Sequence, residues 1–165
     1  MANEYLRLMG VLESGSLDEL EQLAAEIPGF PGGVDPYIGT RWIINAIDGG
    51  SARTVRWMLG KGIDLSFREE DGATPLHSAI ERTRDAKYEI LEELIAAGAS
   101  LNLKGVNDWT PAHLAAARDD VEALRILVRH GADLSIRTGI DDYATPLEEA
   151  RHLGKFNAVK YLESI

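Results

Sequence analysis

The sequence has 165 residues, 45% apolar and 27% charged, which suits one globular domain and excludes wholesale disorder and collagen-like structure. Seventeen basic residues against 27 acidic ones leave a net charge of −10, which argues against binding nucleic acid through its phosphates, a contact that needs clustered Lys and Arg. There is no cysteine, so disulfide scaffolds, thiol nucleophiles, Cys-rich zinc sites and iron–sulfur clusters are excluded.

In chain order, the first residues carry Glu4, Arg7 and Glu13 and lack a basic segment followed by an unbroken apolar run, so no targeting signal is read. No stretch approaches the roughly 18 apolar residues of a membrane span. The expectation is a cytoplasmic protein without membrane contact. Residues 3–27 read as a helix pair, and Ser16-Leu17-Asp18-Glu19 has the spacing of a capping box that opens the second helix. Residues 28–36 hold three prolines and three glycines in nine positions and read as a loop. No Lys-Ser/Thr follows those glycines, so a phosphate-binding loop is not expected. From Arg41 on, Trp42, Ala46, Val55, Leu59 and Gly62 fit another helix pair, with Trp42 in the core.

Thr74-Pro75-Leu76-His77-Ser78-Ala79 opens the next unit, and the same phase returns as Thr110-Pro111-Ala112-His113-Leu114-Ala115 and Thr145-Pro146-Leu147-Glu148-Glu149-Ala150, at intervals of 36 and 35 residues. Thr before Pro suits an N-cap with proline in the first helical position. Tyr88, Leu91, Leu94 and Ile95, and then Val121, Leu124, Leu127 and Val128, recur at helical spacing and are expected to face the core. Gly98 and Gly131 follow those helices as left-handed stops. The unit opened by Thr74 carries three surplus residues, placed within 81–87 between its two helices.

These blocks resemble ankyrin repeats, units of about 33 residues marked by Thr-Pro-Leu-His-x-Ala. The resemblance covers 41–165 well and reaches residue 1 in degenerate form. It implies an all-α solenoid of stacked helix pairs with short β-turn fingers. The expected units are 1–30 as an N-terminal cap, 31–66 degenerate, 67–102, 103–135, and 136–165 as a C-terminal cap, together one domain. It also implies that His77 and His113 are structural, tying neighbouring repeats. They stand one unit apart, too far to share an ion, so no metal site is expected. His130 is expected to meet the last carbonyls of its helix.

No nucleophile elbow, His-Glu-x-x-His or dinucleotide fingerprint is present. Adjacent acids such as Glu92-Glu93 do not face one another on a helix. Neither catalysis nor a cofactor is expected. An enzyme would have to draw on the 28–36 loop and His152, with no motif behind them. By position, the resemblance carries partner contact onto Glu70, Asp71, Ala73, Glu81 and Arg82. In the next unit it falls on Val106, Asn107, Trp109, Ala117 and Arg118, with Trp109 as an anchor. In the last it falls on Asp141, Asp142, Ala144, His152 and Leu153, with Tyr143 where a turn glycine is usual. Residues 1–40 hold one Arg and seven acids, and the fingers add Glu69, Glu70, Asp71, Asp141 and Asp142. The expected function is therefore non-catalytic binding of a protein with a basic surface, by a chain that is monomeric when free. Two alternatives are an immunity-type inhibitor of a toxin or nuclease, and a scaffold assembled through its ends.

Overall fold

The structure is a computed structural model that describes residues 2–139 and 143–165. Asp141 and Asp142 lie outside the described residues. Among those described there are ten α-helices and no strand: α1 Ala2–Ser14, α2 Leu17–Glu26, α3 Trp42–Gly49, α4 Ala52–Leu59, α5 Pro75–Glu81, α6 Lys87–Ala96, α7 Pro111–Ala117, α8 Val121–Arg129, α9 Pro146–His152 and α10 Phe156–Leu162. The odd-numbered helices pack in one row and the even-numbered ones in a second row behind it. This is the all-α solenoid expected from the sequence.

The local signals act as their chemistry requires. Ser16 accepts from the Glu19 amide while the Glu19 carboxylate accepts from the Ser16 amide at 2.8 Å, a complete capping box. Thr74, Thr110 and Thr145 each accept from the amide three residues on, with Pro next in the helix. Gly98 and Gly131 take φ of 94° and 89° after α6 and α8.

The core runs unbroken along the stack, from Leu8 and Leu12 through Ile43, Ile47, Leu76 and Ile80 to Leu124, Leu127 and Leu162. Trp42 is fully buried, as expected. The 28–36 loop does more than connect. It inserts Phe30 edge-on against Trp42 and stacks it on Trp57, at 5.3 and 5.8 Å between ring centroids. Its Asp35 is buried and receives the Asn45 side-chain amide at 2.8 Å.

Two apolar stripes differ from expectation. In α8 the buried face is Ala123, Leu124, Ile126 and Leu127, while Val121 and Val128 are only half-buried. In α6 it is Ile90, Leu91 and Leu94, with Tyr88 exposed and Ile95 half-buried. Each of these helices meets a partner within its own unit and a helix of each neighbouring unit. The buried arc is therefore wider than one stripe and its centre is rotated.

The surplus residues after α5 also have work to do. Arg82 turns back toward the preceding unit, where its guanidinium donates to the carbonyls of Ile47 and Gly50 and to that of Asp85. Arg84 donates to the Gly49 carbonyl at 2.5 Å and pairs with Glu13. Two arginines thus satisfy the C-terminal carbonyls of α3, where positive charge is also favoured by the helix dipole.

Candidate partner-binding groove

Each finger leads into the first helix of its pair. Side by side, two fingers, α5, α7 and the turn after α9 bound a groove of about 480 Å³. Asp71 and Ala73 come from one finger, and Val106, Asn107 and Trp109 from the next. Leu114, Ala117 and Arg118 come from α7 and its end, and Leu153 and Lys155 from the turn after α9. The centre is apolar and the rim is charged. Two of the charged groups, Arg118 and Glu81, pair with each other at 2.5 Å.

Of the residues expected to touch a partner, Asp71, Glu81, Asn107, Trp109 and Arg118 line this groove. Glu70 lines a second, neighbouring cavity. His152 is exposed at the end of α9 but is not part of the groove wall, which is formed there by Leu153, 45% exposed. Arg82 is a correction. It is buried beneath the stack, and its guanidinium is committed to the α3 carbonyls, so it presents nothing to the groove. Leu114 was missed as a contact. It occupies the variable position of its motif block, where the flanking units carry Ser78 and Glu149, and that difference was the available signal. Asp48 was missed as well. It stands two residues after Ala46 as Glu81 stands two after Ala79, but its unit lacks Thr-Pro.

The fingers are held in place from behind by the histidines. The Nδ1 atom of His77 meets Thr74 Oγ1 at 2.7 Å, and Nε2 meets the Trp109 carbonyl oxygen of the next finger at 3.0 Å. His113 repeats this with Thr110 at 2.8 Å and the Ala144 carbonyl at 3.0 Å. A carbonyl only accepts, so Nε2 carries the proton. The Thr110 amide donates to His113 Nδ1 at 3.2 Å, so that nitrogen is an acceptor and the ring is neutral. In the last unit Glu148 replaces the histidine. It accepts the Thr145 amide and a two-pronged contact from Arg137 of its own finger, and these hold its carboxyl down at about 2.

The trapped histidines predict a pH dependence. Burial, the dominant cause, pushes both imidazoles below their ordinary value, and the bond to the neighbouring carbonyl opposes it. Unfolded histidine takes up its proton near 6.5, whereas the folded rings do so only at lower pH. Between those two values the unfolded chain binds more protons, so stability falls as the pH falls. Asp48, raised to about 6, acts in the opposite sense. The diagnostic is therefore a difference. Urea midpoints measured from pH 7.5 to 5 should fall more steeply for the native protein than for a His77→Gln, His113→Gln double variant. Parallel profiles would mean that the rings titrate normally in the fold.

The fingertips turn through left-handed backbone, which strains a residue other than glycine. Gly72 has φ 90°, and at the equivalent position Asp108 and Tyr143 have φ 57° and 53°. Asp108 is held there by Lys104 at 2.7 Å and by the Gly139 amide of the next finger. Tyr143 is held by Arg137, which donates to its carbonyl at 2.6 Å. The residue is 62% exposed.

A family model of ankyrin repeats in three copies matches residues 83–164. The chain is 42% identical over 86 residues to the RelA-associated inhibitor of Mus musculus, covering 52% of this chain and 10% of that protein. It is 31% identical over 124 residues to the putative E3 ubiquitin-protein ligase XBAT34 of Arabidopsis thaliana, covering 74% and 32%. It is 32% identical over 127 residues to alpha-latroinsectotoxin-Lt1a of Latrodectus tredecimguttatus, covering 76% and 9%. The chain thus spans no more than about a third of each of these relatives. Ankyrin repeats generally mediate protein–protein interaction and are typically non-enzymatic. From its repeated Thr-Pro blocks, its stacked helix pairs and these matches, the chain belongs to the ankyrin repeat family.

Proposed function

We propose that this chain is a non-catalytic binding module that holds a protein partner in the groove beneath its fingers, as a monomer in the cytoplasm. The observation that carries the reading is the groove itself. It places half-buried Trp109 and exposed Val106 and Leu153 along one surface that crosses two unit boundaries. An amphipathic aromatic ringed by polar groups is the composition of an interface centre. The strained, exposed Tyr143 fits the same role. A left-handed bulky residue costs about 1–2 kcal/mol and persists where surroundings over-determine it, commonly at functional positions. The groove's own charges balance, Asp71 and Glu81 against Arg118 and Lys155, so it is the net charge of −10 and the acidic cavity beside the groove that favour a partner with a basic contact surface. The acidic face also supports an inhibitory form of the reading, in which the chain covers a basic, phosphate-binding surface of a toxin or nuclease.

The test uses peptides selected from a random displayed library against the full chain. Trp109→Ala should weaken them by about 2 kcal/mol, roughly 30-fold. The His77 bond survives that change because it ends on the main-chain carbonyl. Leu153→Asp, at an exposed position, should weaken them comparably with an unchanged helical spectrum. Selected peptides indifferent to both changes would place the binding face elsewhere.

A further inference from the structure

Beside the groove lies a second cavity of about 330 Å³, walled by the loop before α3, by α3 itself, by the 69–73 finger and by α5. We infer that it is a socket for a guanidinium or ammonium side chain of the protein partner, so that the partner presents a basic residue next to a bulky apolar one. This rests on the groove being the partner site, because Asp71 and Glu81 stand in the walls of both cavities.

The socket is lined by five carboxylates, Asp48, Glu69, Glu70, Asp71 and Glu81, and by no cationic side chain. Some of that charge is already engaged. Glu81 pairs with Arg118, and Glu69 has the Arg41 guanidinium at 3.9 Å and a hydrogen bond from the Arg41 amide. Asp71 accepts the Ala73 amide at 2.9 Å. Asp48 and Glu70 have no ion pair among the described residues. The nearby cation, Arg82, spends its donors on the carbonyls of Ile47, Gly50 and Asp85. Burial at the pocket wall, with Glu81, Asp71 and Glu69 close by and Arg82 opposing, pushes the Asp48 carboxyl up to about 6, although its outer edge is exposed.

A second observation points to a ligand. Ser78 is only 6% exposed, and that remaining surface lines the cavity. Among the described residues its hydroxyl has no hydrogen-bond partner. That hydroxyl is not fully enclosed, so a donor held in the cavity reaches an acceptor that the described residues leave unused. The spacing of the acids selects the kind of donor. Among the described residues no three His, Asp or Glu side chains converge closely enough to hold a metal ion. Carboxylates spread round a cavity of this size match the several diverging N–H groups of a guanidinium, or the three of an ammonium, better than the short radius of a metal ion. In the combined face the apolar groove would supply contact area and the socket would select the charged neighbour.

The experiment titrates the isotopically labelled full chain with N-acetyl-arginine methylamide, with the uncharged N-acetyl-citrulline analogue, and with calcium chloride, following amide and carboxyl resonances by NMR. The arginine probe should give saturable shifts at Ser78, Glu70 and Asp48. Citrulline should bind at least tenfold more weakly. Asp48→Asn with Glu70→Gln, both at exposed positions, should raise the dissociation constant at least fivefold and weaken selected peptides about tenfold. Equal response to citrulline, no saturable response, indifference to the double variant, or calcium acting on the same resonances would each overturn the socket. If those failures occur while Trp109→Ala still abolishes peptide binding, the socket falls and the groove stands. If the arginine probe binds as expected but peptides ignore Trp109 and Leu153, the groove reading is the one that fails.

Discussion

Replacing Leu127 by alanine is expected to lower stability by about 2–5 kcal/mol, the range for emptying a packed leucine site. Leu127 is fully buried in α8, which packs against α7 in its own unit and against α6 and α10 on either side. Neither α6 nor α7 can move inward without disturbing the other units it packs on, so the cavity stays largely open. Because each pair buries its apolar face on its neighbours, the loss should appear as a shift of one cooperative transition. Val128→Ala, one residue on and half-buried, should cost far less. Urea denaturation followed by circular dichroism measures both. Equal effects would mean that α8 presents a different face to the core.

Arg82→Ala is the second large effect, at about 3 kcal/mol. The change strips hydrogen bonds from the carbonyls of Ile47 and Gly50 at the end of α3, and each buried acceptor left unsatisfied costs about 1–3 kcal/mol. Arg82→Lys keeps the charge but not the planar fork that reaches several carbonyls at once, so it should recover less than half the loss. Full recovery by lysine would show that charge at the helix end, rather than the hydrogen bonds, is what matters. Peptide binding should be unchanged in Arg82→Lys, which keeps the positive charge beside Asp48, since Arg82 is turned away from the groove.

The contrast between these two residues marks what the sequence could reveal. Thr110, Pro111 and His113 each meet a local need that few side chains satisfy, and so the units, their starts and the histidine ties were readable by eye. Arg82 stands at the end of an inner helix, a position where the chain tolerates many residues. Only the surplus residues after it let the side chain turn back, and no pattern announces that turn. The stripes of α6 and α8 were misphased for a different reason. Spacing reports the centre of an apolar face when one side is covered, and these helices are covered on several. Of the groove, Asp71, Glu81, Asn107, Trp109 and Arg118 were legible because position within the unit determines them. Asp48 and Ser78, which line the second cavity, were not, since that cavity forms only where neighbouring units meet. Tyr143 was legible only as an odd residue in a glycine slot; its left-handed backbone supplies the reason.

The histidine tie has one further consequence, for how such a protein can diversify. His77 and His113 grip main-chain oxygens at positions 109 and 144, so the joint asks nothing of the side chains there. Tryptophan occupies one and alanine the other, and the junction is the same. Assembly and selectivity are thus inscribed on different atoms of the same residue. A lineage can rewrite the finger, letter by letter, without renegotiating how one unit grips the next. The unit opened by Thr110 carries both halves of the joint, an oxygen to be gripped and a ring to grip with. Glu148 breaks that inheritance, because its carboxylate folds back onto Arg137 and has no proton to offer a successor.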